Sequence, residues 1–276
     1  VSETMIDTHA RPSTPECPRR AVSTGRQVGA LAGSALRSWS RDPGIVIQTI
    51  VFPVFLLLMF QLVLGKTVTA MGGGGSVYRN VALTALVGVM YGALATGAGL
   101  VADRESGLLG RLWTLPVSRG GFVAARLCAE VVRAAVGTAV LFAIGAALGF
   151  RWHQGILAGI AALGVAAAFG LACACMSTAL ATRVSGKQVL MNLSALYLLM
   201  LFFTTGFAPA SEYPGWLRPI VRYQPMSPAI DAIRGLTEGG AVARPLAISL
   251  AWSAAFVVVF GALSVTGFRR AAAQRT

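Results

Sequence analysis

Side chains able to do chemistry are few in this chain. Among 276 residues there are ten acids, two histidines and four cysteines. His9 sits in a polar N-terminal stretch and His153 in a short loop, so a histidine-built metal or acid–base centre has no material. Cys17 and Cys128 are isolated. Cys173 and Cys175, two apart on a helix, point about 200° apart around its axis. They read as small apolar fillers, and neither a disulfide framework nor a metal site follows. Gly-Lys occurs twice, as Gly65-Lys66-Thr67 and Gly186-Lys187-Gln188, with Phe60 and Ala181 where the first glycine of a phosphate-binding loop belongs. No nucleotide cradle forms there. Two charge pairs remain at helical spacing. Glu130 and Arg133, three apart at the inner end of an apolar run, are expected to pair structurally, with proton-relay duty the lesser alternative. Asp231 and Arg234 share a face in the same way.

The elements that must position these groups are apolar. The chain is 55% hydrophobic and 12% charged, with mean hydropathy +0.70. A soluble domain carries about 25% charged residues. Uninterrupted apolar runs of about 20 residues match the hydrocarbon core of a bilayer. Soluble, disordered and disulfide-scaffold classes are therefore excluded, and an all-α membrane protein remains. The net charge of +13 does not indicate a nucleic-acid partner. Its arginines cluster between the apolar runs, as topology signals do, without a basic face interleaved with aromatics.

Six spans are predicted, near 44–64, 80–102, 130–150, 155–182, 188–208 and 245–267. Residues 1–43 are too polar and too long for a secretory leader, so the first span is expected to be retained. With both termini cytoplasmic, 16 of the 23 Lys and Arg fall on the inner side, as the positive-inside rule requires. Pro53 should kink or locally unwind the first span. Gly88/Gly92 and Gly155/Gly159 form GxxxG patterns, read as close packing within the chain.

Three segments are not spans. Residues 1–22, rich in proline, read as a disordered cytoplasmic tail, and 268–276 as a second tail. Residues 23–43 place Val28, Leu31, Ala35 and Trp39 at helical spacing beside Arg26, Arg37 and Arg41. An interfacial amphipathic helix fits, and a plain polar tail is the alternative. In the inner loop 103–129, Asp103, Arg104 and Glu105 stop the second span. A short amphipathic stretch follows with Leu108, Leu109, Leu112, Trp113 and Leu115, ended by Pro116. Ser118 can cap a new helix toward the third span. Such an element could pass force from a soluble partner to the spans, or merely turn the chain around. The outer segment 204–244 is cut by Pro209, Pro214, Pro219, Pro225 and Pro228. With Tyr213, Trp216, Leu217, Ile220 and Val221 as apolar contacts, it is predicted to form short interfacial or re-entrant helices.

DRESGLLGRLWTLPVSR in the inner loop resembles the Glu-x-Gly and Leu-x-Pro pattern of ABC-2-type transporter permeases. SEYPGWLRPIVRYQPMSPAIDAIRGL resembles that family's segment before the last span. RLWTLPVSR, GFRWHQG and YPGWLRP are most similar to its daunorubicin-resistance-type members, over about residues 26–270. The resemblance implies a six-span half-transporter over 44–267, with an interfacial N-terminal helix, a coupling helix between spans 2 and 3, and re-entrant outer helices between spans 5 and 6. Arg104, Glu105, Gly107, Leu109, Arg111, Leu112, Leu115 and Pro116 then fall on the coupling element. Pro214, Trp216, Pro225, Asp231 and Arg234 mark the outer re-entrant segment.

What this implies is a non-catalytic permease in a bacterial inner membrane. ATP and Mg would be held by a separate nucleotide-binding ATPase subunit, with no cofactor on this chain, and a second permease, identical or related, would complete a cavity. The cargo would be a bulky hydrophobic or amphipathic molecule, an anthracycline-like drug or a complex cell-envelope lipid. Phe55, Tyr91, Tyr197, Phe202 and Phe203, on the first, second and fifth spans, are the candidate lining groups. Arg outnumbers Lys 21 to 2, a bias that fits a GC-rich bacterial genome. An intramembrane lipid-modifying enzyme or an ion-coupled carrier would need acids at mid-membrane, which the predicted spans place only at their ends.

Overall fold

A computed structural model describes residues 33, 37, 43–70, 76–106, 119–150, 153–183 and 188–273 of the chain. Among them every regular element is helical. Pro43 opens a one-turn helix, α1 (Pro43–Val46), which passes through a π-helical turn (Ile47–Val51) into α2 (Phe52–Ala70). Pro53 explains the turn. It has no N–H to give the Thr49 carbonyl four residues back, and the N–H of Phe52 reaches five residues back to Ile47. The expected break in the first span is thus a π-turn just ahead of the proline.

The remaining helices are α3 (Ser76–Glu105), α4 (Arg119–Ala147), α5 (Gly155–Arg183), α6 (Gln188–Phe202), α7 (Arg218–Tyr223), α8 (Met226–Glu238) and α9 (Ala243–Ala273), with a 3-10 turn at Ala210–Glu212. Four contain stretches long and apolar enough to cross a membrane: Tyr78–Asp103, Ala124–Ala147, Gly155–Arg183 and Ala243–Ser264. The apolar runs Thr49–Val63 and Met191–Phe202 are shorter.

Two expectations are corrected here. The fifth span was to reach residue 208, but α6 ends at Phe202, because the side chains of Tyr213 and Gln224 take over its last carbonyls. The third span was to begin at residue 130, but one unbroken helix runs from Arg119 to Ala147, and its apolar stretch starts at Ala124. Glu130 and Arg133 therefore lie within the stretch and not at its end. They satisfy each other and their neighbours satisfy them, so neither helix nor bilayer has to stop there.

α3 is the central helix. Every residue from Asn80 to Met90 is buried, as expected of a helix that is apolar all round. It packs on α2, α4, α5 and α8, while α9 lies mainly along α5. In lipid there is little hydrophobic drive between helices, so small residues set the approach. At Gly170 of α5 an added Cβ would stand 2.5 Å from Val89 and 3.0 Å from Ala134, so α3, α4 and α5 meet closely there. α9 turns Ser249, Ser253 and Ser264 inward and exposes Leu250, Val258 and Val259, the reverse of a soluble helix. α4 ends through Gly149, whose φ of 101° lets Phe150 donate to the Gly145 carbonyl at 2.9 Å.

Candidate functional site

Two polar assemblies interrupt the apolar core. The first joins α3, α4 and the π-turn. On α3 the positions Gly88, Gly92, Thr96, Gly99 and Asp103 recur at helical spacing, and on α4 so do Arg126, Glu130, Arg133 and Gly137, so each set forms one stripe. At the C-terminal end of α3 Arg126 Nη1 donates to Asp103 Oδ2 at 2.9 Å. Arg126 Nη2 donates to the Thr96 carbonyl at 3.1 Å. The Thr96 hydroxyl donates to Glu130 Oε2 at 2.7 Å, and Arg133 Nε donates to the same oxygen at 3.1 Å. Arg133 Nη2 pairs with Glu130 Oε1, and Arg133 Nη1 donates to the Thr49 hydroxyl at 2.9 Å. Glu130 is 1% exposed and Arg133 4%.

The glycines make this possible. A Cβ on Gly92 would overlap the Arg133 guanidinium, and one on Gly99 would stand 2.8 Å from Arg126 Nη2. Gly88 instead admits the π-turn: its Cβ would meet Pro53 Cγ at 2.9 Å and the Thr49 carbonyl at 3.1 Å. The Gly88/Gly92 pattern therefore serves packing within the chain. Gly155 and Gly159 instead border an apolar groove of about 580 Å³ between α4 and α5, shared with Phe142, Ile156, Ile160 and Leu163.

The second assembly closes the C-terminal end of α6. A helix that stops inside a membrane protein leaves carbonyls without partners. Gln224 Nε2 donates to the carbonyls of Phe203 and, at 3.3 Å, Met200. The Tyr213 hydroxyl lies 3.3 Å from the Phe202 carbonyl and donates to that of Thr204 at 3.2 Å. Ser227 Oγ receives the Thr205 N–H at 3.2 Å and lies 3.3 Å from Thr204 Oγ1. Gly206 fits beneath, where a Cβ would stand 2.6 Å from Leu83 Cδ1. Gln224→Leu should cost about 1–3 kcal/mol, since it strands buried carbonyls. Thermal melting of the purified chain checks it, and a midpoint matching wild type would refute the capping role.

The Asp231–Arg234 pairing expected from the sequence is corrected. Arg234 pairs with Glu238 at 2.7 Å, the i,i+4 partner on its own helix. Asp231 accepts from the Thr205 hydroxyl at 3.1 Å. Burial pushes the Asp231 carboxyl above its usual range, a shift that the Thr205 hydrogen bond and nearby arginines partly oppose. Pro214 and Trp216 are exposed, Trp216 at 73%, and Pro225 is half-buried at the start of α8. Tyr213, read from sequence as an apolar contact, acts through its hydroxyl. Gln224 and the Thr204/Thr205/Ser227 group were not singled out. The only local signal was Gln-Pro directly before α8.

The five candidate lining residues do not gather at one place. Phe55 is 61% exposed on α2, one turn after Phe52, whose ring meets Tyr91 edge-on at 5.6 Å. Phe202 is also exposed and stacks on Phe207, which meets Phe60 of α2 at 5.3 Å. Phe203 is half-buried at the end of α6. Tyr197 faces the core, its hydroxyl 3.5 Å from Ser177 Oγ. None of the five lines the groove between α4 and α5.

Of the coupling positions, Arg104 and Glu105 form the last turn of α3, and Glu105 is exposed. Gly107, Leu109, Arg111, Leu112, Leu115 and Pro116 lie outside the described residues. So do 1–22 and most of 23–43, of which Gly33 and Arg37 are helical. Among the described residues no cluster of three or more His, Cys, Asp or Glu could hold a metal. Cys173 and Cys175 are buried free thiols, and the hydroxyl of Tyr78 lies 3.1 Å from His153 Nδ1.

A membrane chain with apolar helices, a π-turn ahead of Pro53 and a side-chain-capped end of α6 invites comparison with known permeases. Residues 26–237 match the ABC-2 type transporter family model. The chain is 35% identical over 236 residues to a probable doxorubicin resistance ABC transporter permease protein, DrrC, of Mycobacterium tuberculosis, covering 86% of each. It is 29% identical over 260 residues to the daunorubicin resistance ABC transporter permease protein DrrB1 of Streptomyces coeruleorubidus, covering 93% of this chain and 90% of that one. A second M. tuberculosis protein, the doxorubicin resistance permease DrrB, is 27% identical over 269 residues and 92% of each chain. Family match, coverage and helical build agree, and the chain belongs to the ABC-2-type transporter family as a membrane permease.

Proposed function

We propose that this chain is the permease subunit of an ATP-driven exporter for bulky amphipathic molecules. The family match over residues 26–237 carries the reading. The drug resistances for which the relatives are named favour an anthracycline-like cargo, and a complex envelope lipid shares the same chemistry. In this reading the chain crosses the membrane six times, with α2 and α6 as the first and fifth spans and both termini cytoplasmic. ATP is hydrolysed on a separate subunit, which closes in pairs under two permease halves. Residues 104–116 receive that motion, and the halves alternate between inward-open and outward-open arrangements. Cargo enters from the inner leaflet along the exposed apolar faces of α2 and α6, where Phe55 and Phe202 stand. The capped turn at 203–206 and α7–α8 form the outer closure.

The test is drug-stimulated ATPase of this chain co-purified with its ATPase subunit. Glu105→Ala and Arg111→Ala should each weaken docking or stimulation about tenfold, as loss of one anchor residue does at an interface. Docking and stimulation at wild-type levels in both variants would remove the coupling assignment.

Glu130 is the one observation favouring a different class, since an ion-coupled carrier needs a buried carboxylate in the membrane. Both its oxygens are occupied, by Arg133 and Thr96. A travelling proton would have to break that pair, which supports the ATP-driven reading.

A further inference from the structure

The buried charge ladder has no assigned role in moving cargo, and its two ends lie at places that could move. One end, Asp103, is two residues from the end of α3, where the inner loop begins, and Ser106 Oγ bonds its carbonyl at 3.2 Å. The other end, Thr49, lies within the π-turn. Its carbonyl is the one Pro53 leaves without an i+4 donor, and its hydroxyl is held by Arg133. Between them every link is a hydrogen bond from one helix to the next or along α4: Asp103 to Arg126, Arg126 to Thr96, Thr96 to Glu130, Glu130 to Arg133, and Arg133 to Thr49.

We propose that Asp103, Arg126, Thr96, Glu130, Arg133 and Thr49 are positioning residues that transmit displacement of the inner loop to the π-turn of the first span, thereby setting its bend. The proposal rests on the permease reading, because it assumes that the inner loop is where motion arrives.

The physical grounds are three. A buried ion pair adds little net stability over an apolar pair of the same volume, so stability alone does not account for it. Hydrogen-bonded guanidinium–carboxylate contacts have discrete alternative partners, unlike apolar packing, and coupling is carried by elements that can adopt two arrangements. Finally, the missing side chains of Gly92 and Gly99 leave the space that the Arg133 and Arg126 guanidinium groups occupy, and Gly88 makes room for Pro53 beside the π-turn. A Cβ added at Gly137 would likewise stand 3.8 Å from Thr49 Cγ2.

Hydrogen–deuterium exchange of the full chain in nanodiscs tests this without requiring transport. Asp103→Asn, at the half-exposed inner end, should raise amide exchange across 47–52 about threefold or more, a size typical of such couplings. Thr96→Val should do the same. Gly145→Ala, whose Cβ would press on Val81 at 2.8 Å away from the ladder, should leave 47–52 within twofold of wild type. Exchange at 47–52 unchanged in both Asp103→Asn and Thr96→Val, or raised equally by Gly145→Ala, overturns the proposal. In the assembled transporter, Asp103→Asn and Thr49→Val should reduce cargo moved per ATP non-additively, and strict additivity likewise counts against the ladder. If wild type moves no cargo with its ATPase subunit, the permease reading fails, while the exchange result still decides the ladder.

Discussion

Replacing Arg133 with leucine should destabilise the folded chain by about 3–5 kcal/mol, because it leaves the Glu130 carboxylate buried without its partner. For a chain of this size that corresponds to a melting midpoint lower by about 10 °C. The paired variant Glu130→Leu with Arg133→Leu should recover most of the loss, since two apolar groups replace two charges that stabilise mainly each other. Melting of both variants in the same detergent decides it. A double variant as unstable as Arg133→Leu would mean that the Thr49 and Thr96 hydrogen bonds, and not the ion pair, hold these helices.

Gly92→Ala should be nearly as damaging, at about 2–4 kcal/mol, although it adds only a methyl group to a helix that alanine favours. The new Cβ occupies the space of the Arg133 guanidinium. The guanidinium has to leave Glu130 and Thr49 yet stay buried. Gly164→Ala is the counterpart. Its Cβ meets nothing within 4 Å, and it should be neutral or stabilising by about 0.5–1 kcal/mol. Gly92→Ala and Arg133→Leu remove the same interactions, so their costs should combine to less than their sum. Equal effects of Gly92→Ala and Gly164→Ala would show that the guanidinium does not sit where the geometry puts it.

These effects mark where sequence reading reached and where it stopped. Apolar runs announced the helices, because bilayer thickness dictates their length, and Pro53 announced its own break. Glu130 and Arg133 were legible as a pair from their spacing. Their depth was not, because a charge in an apolar run reads as a span boundary unless its cross-helix partners are known. The signal was present as a register: Arg126, Glu130 and Arg133 on one stripe, opposite Gly92, Thr96 and Gly99 on another. The cap on α6 was less accessible. Gln224 and Tyr213 satisfy carbonyls 21 and 9 residues away, and such pairings leave no periodic trace. Asp231 chose Thr205 over Arg234 for the same reason, since a side-chain partner from another segment outcompeted the local one. The short α6 follows from these caps, which satisfy the carbonyls that 203–206 leave when the helix ends.

The account as a whole depends on ATP, and not an ion gradient, driving cargo through this chain. The direct measurement is doxorubicin accumulation in inside-out vesicles holding the chain with its ATPase subunit. Uptake should require ATP, persist with an ionophore that collapses ion gradients, and vanish when the partner's hydrolysis is disabled. Uptake that continues without ATP and disappears with the ionophore would contradict it.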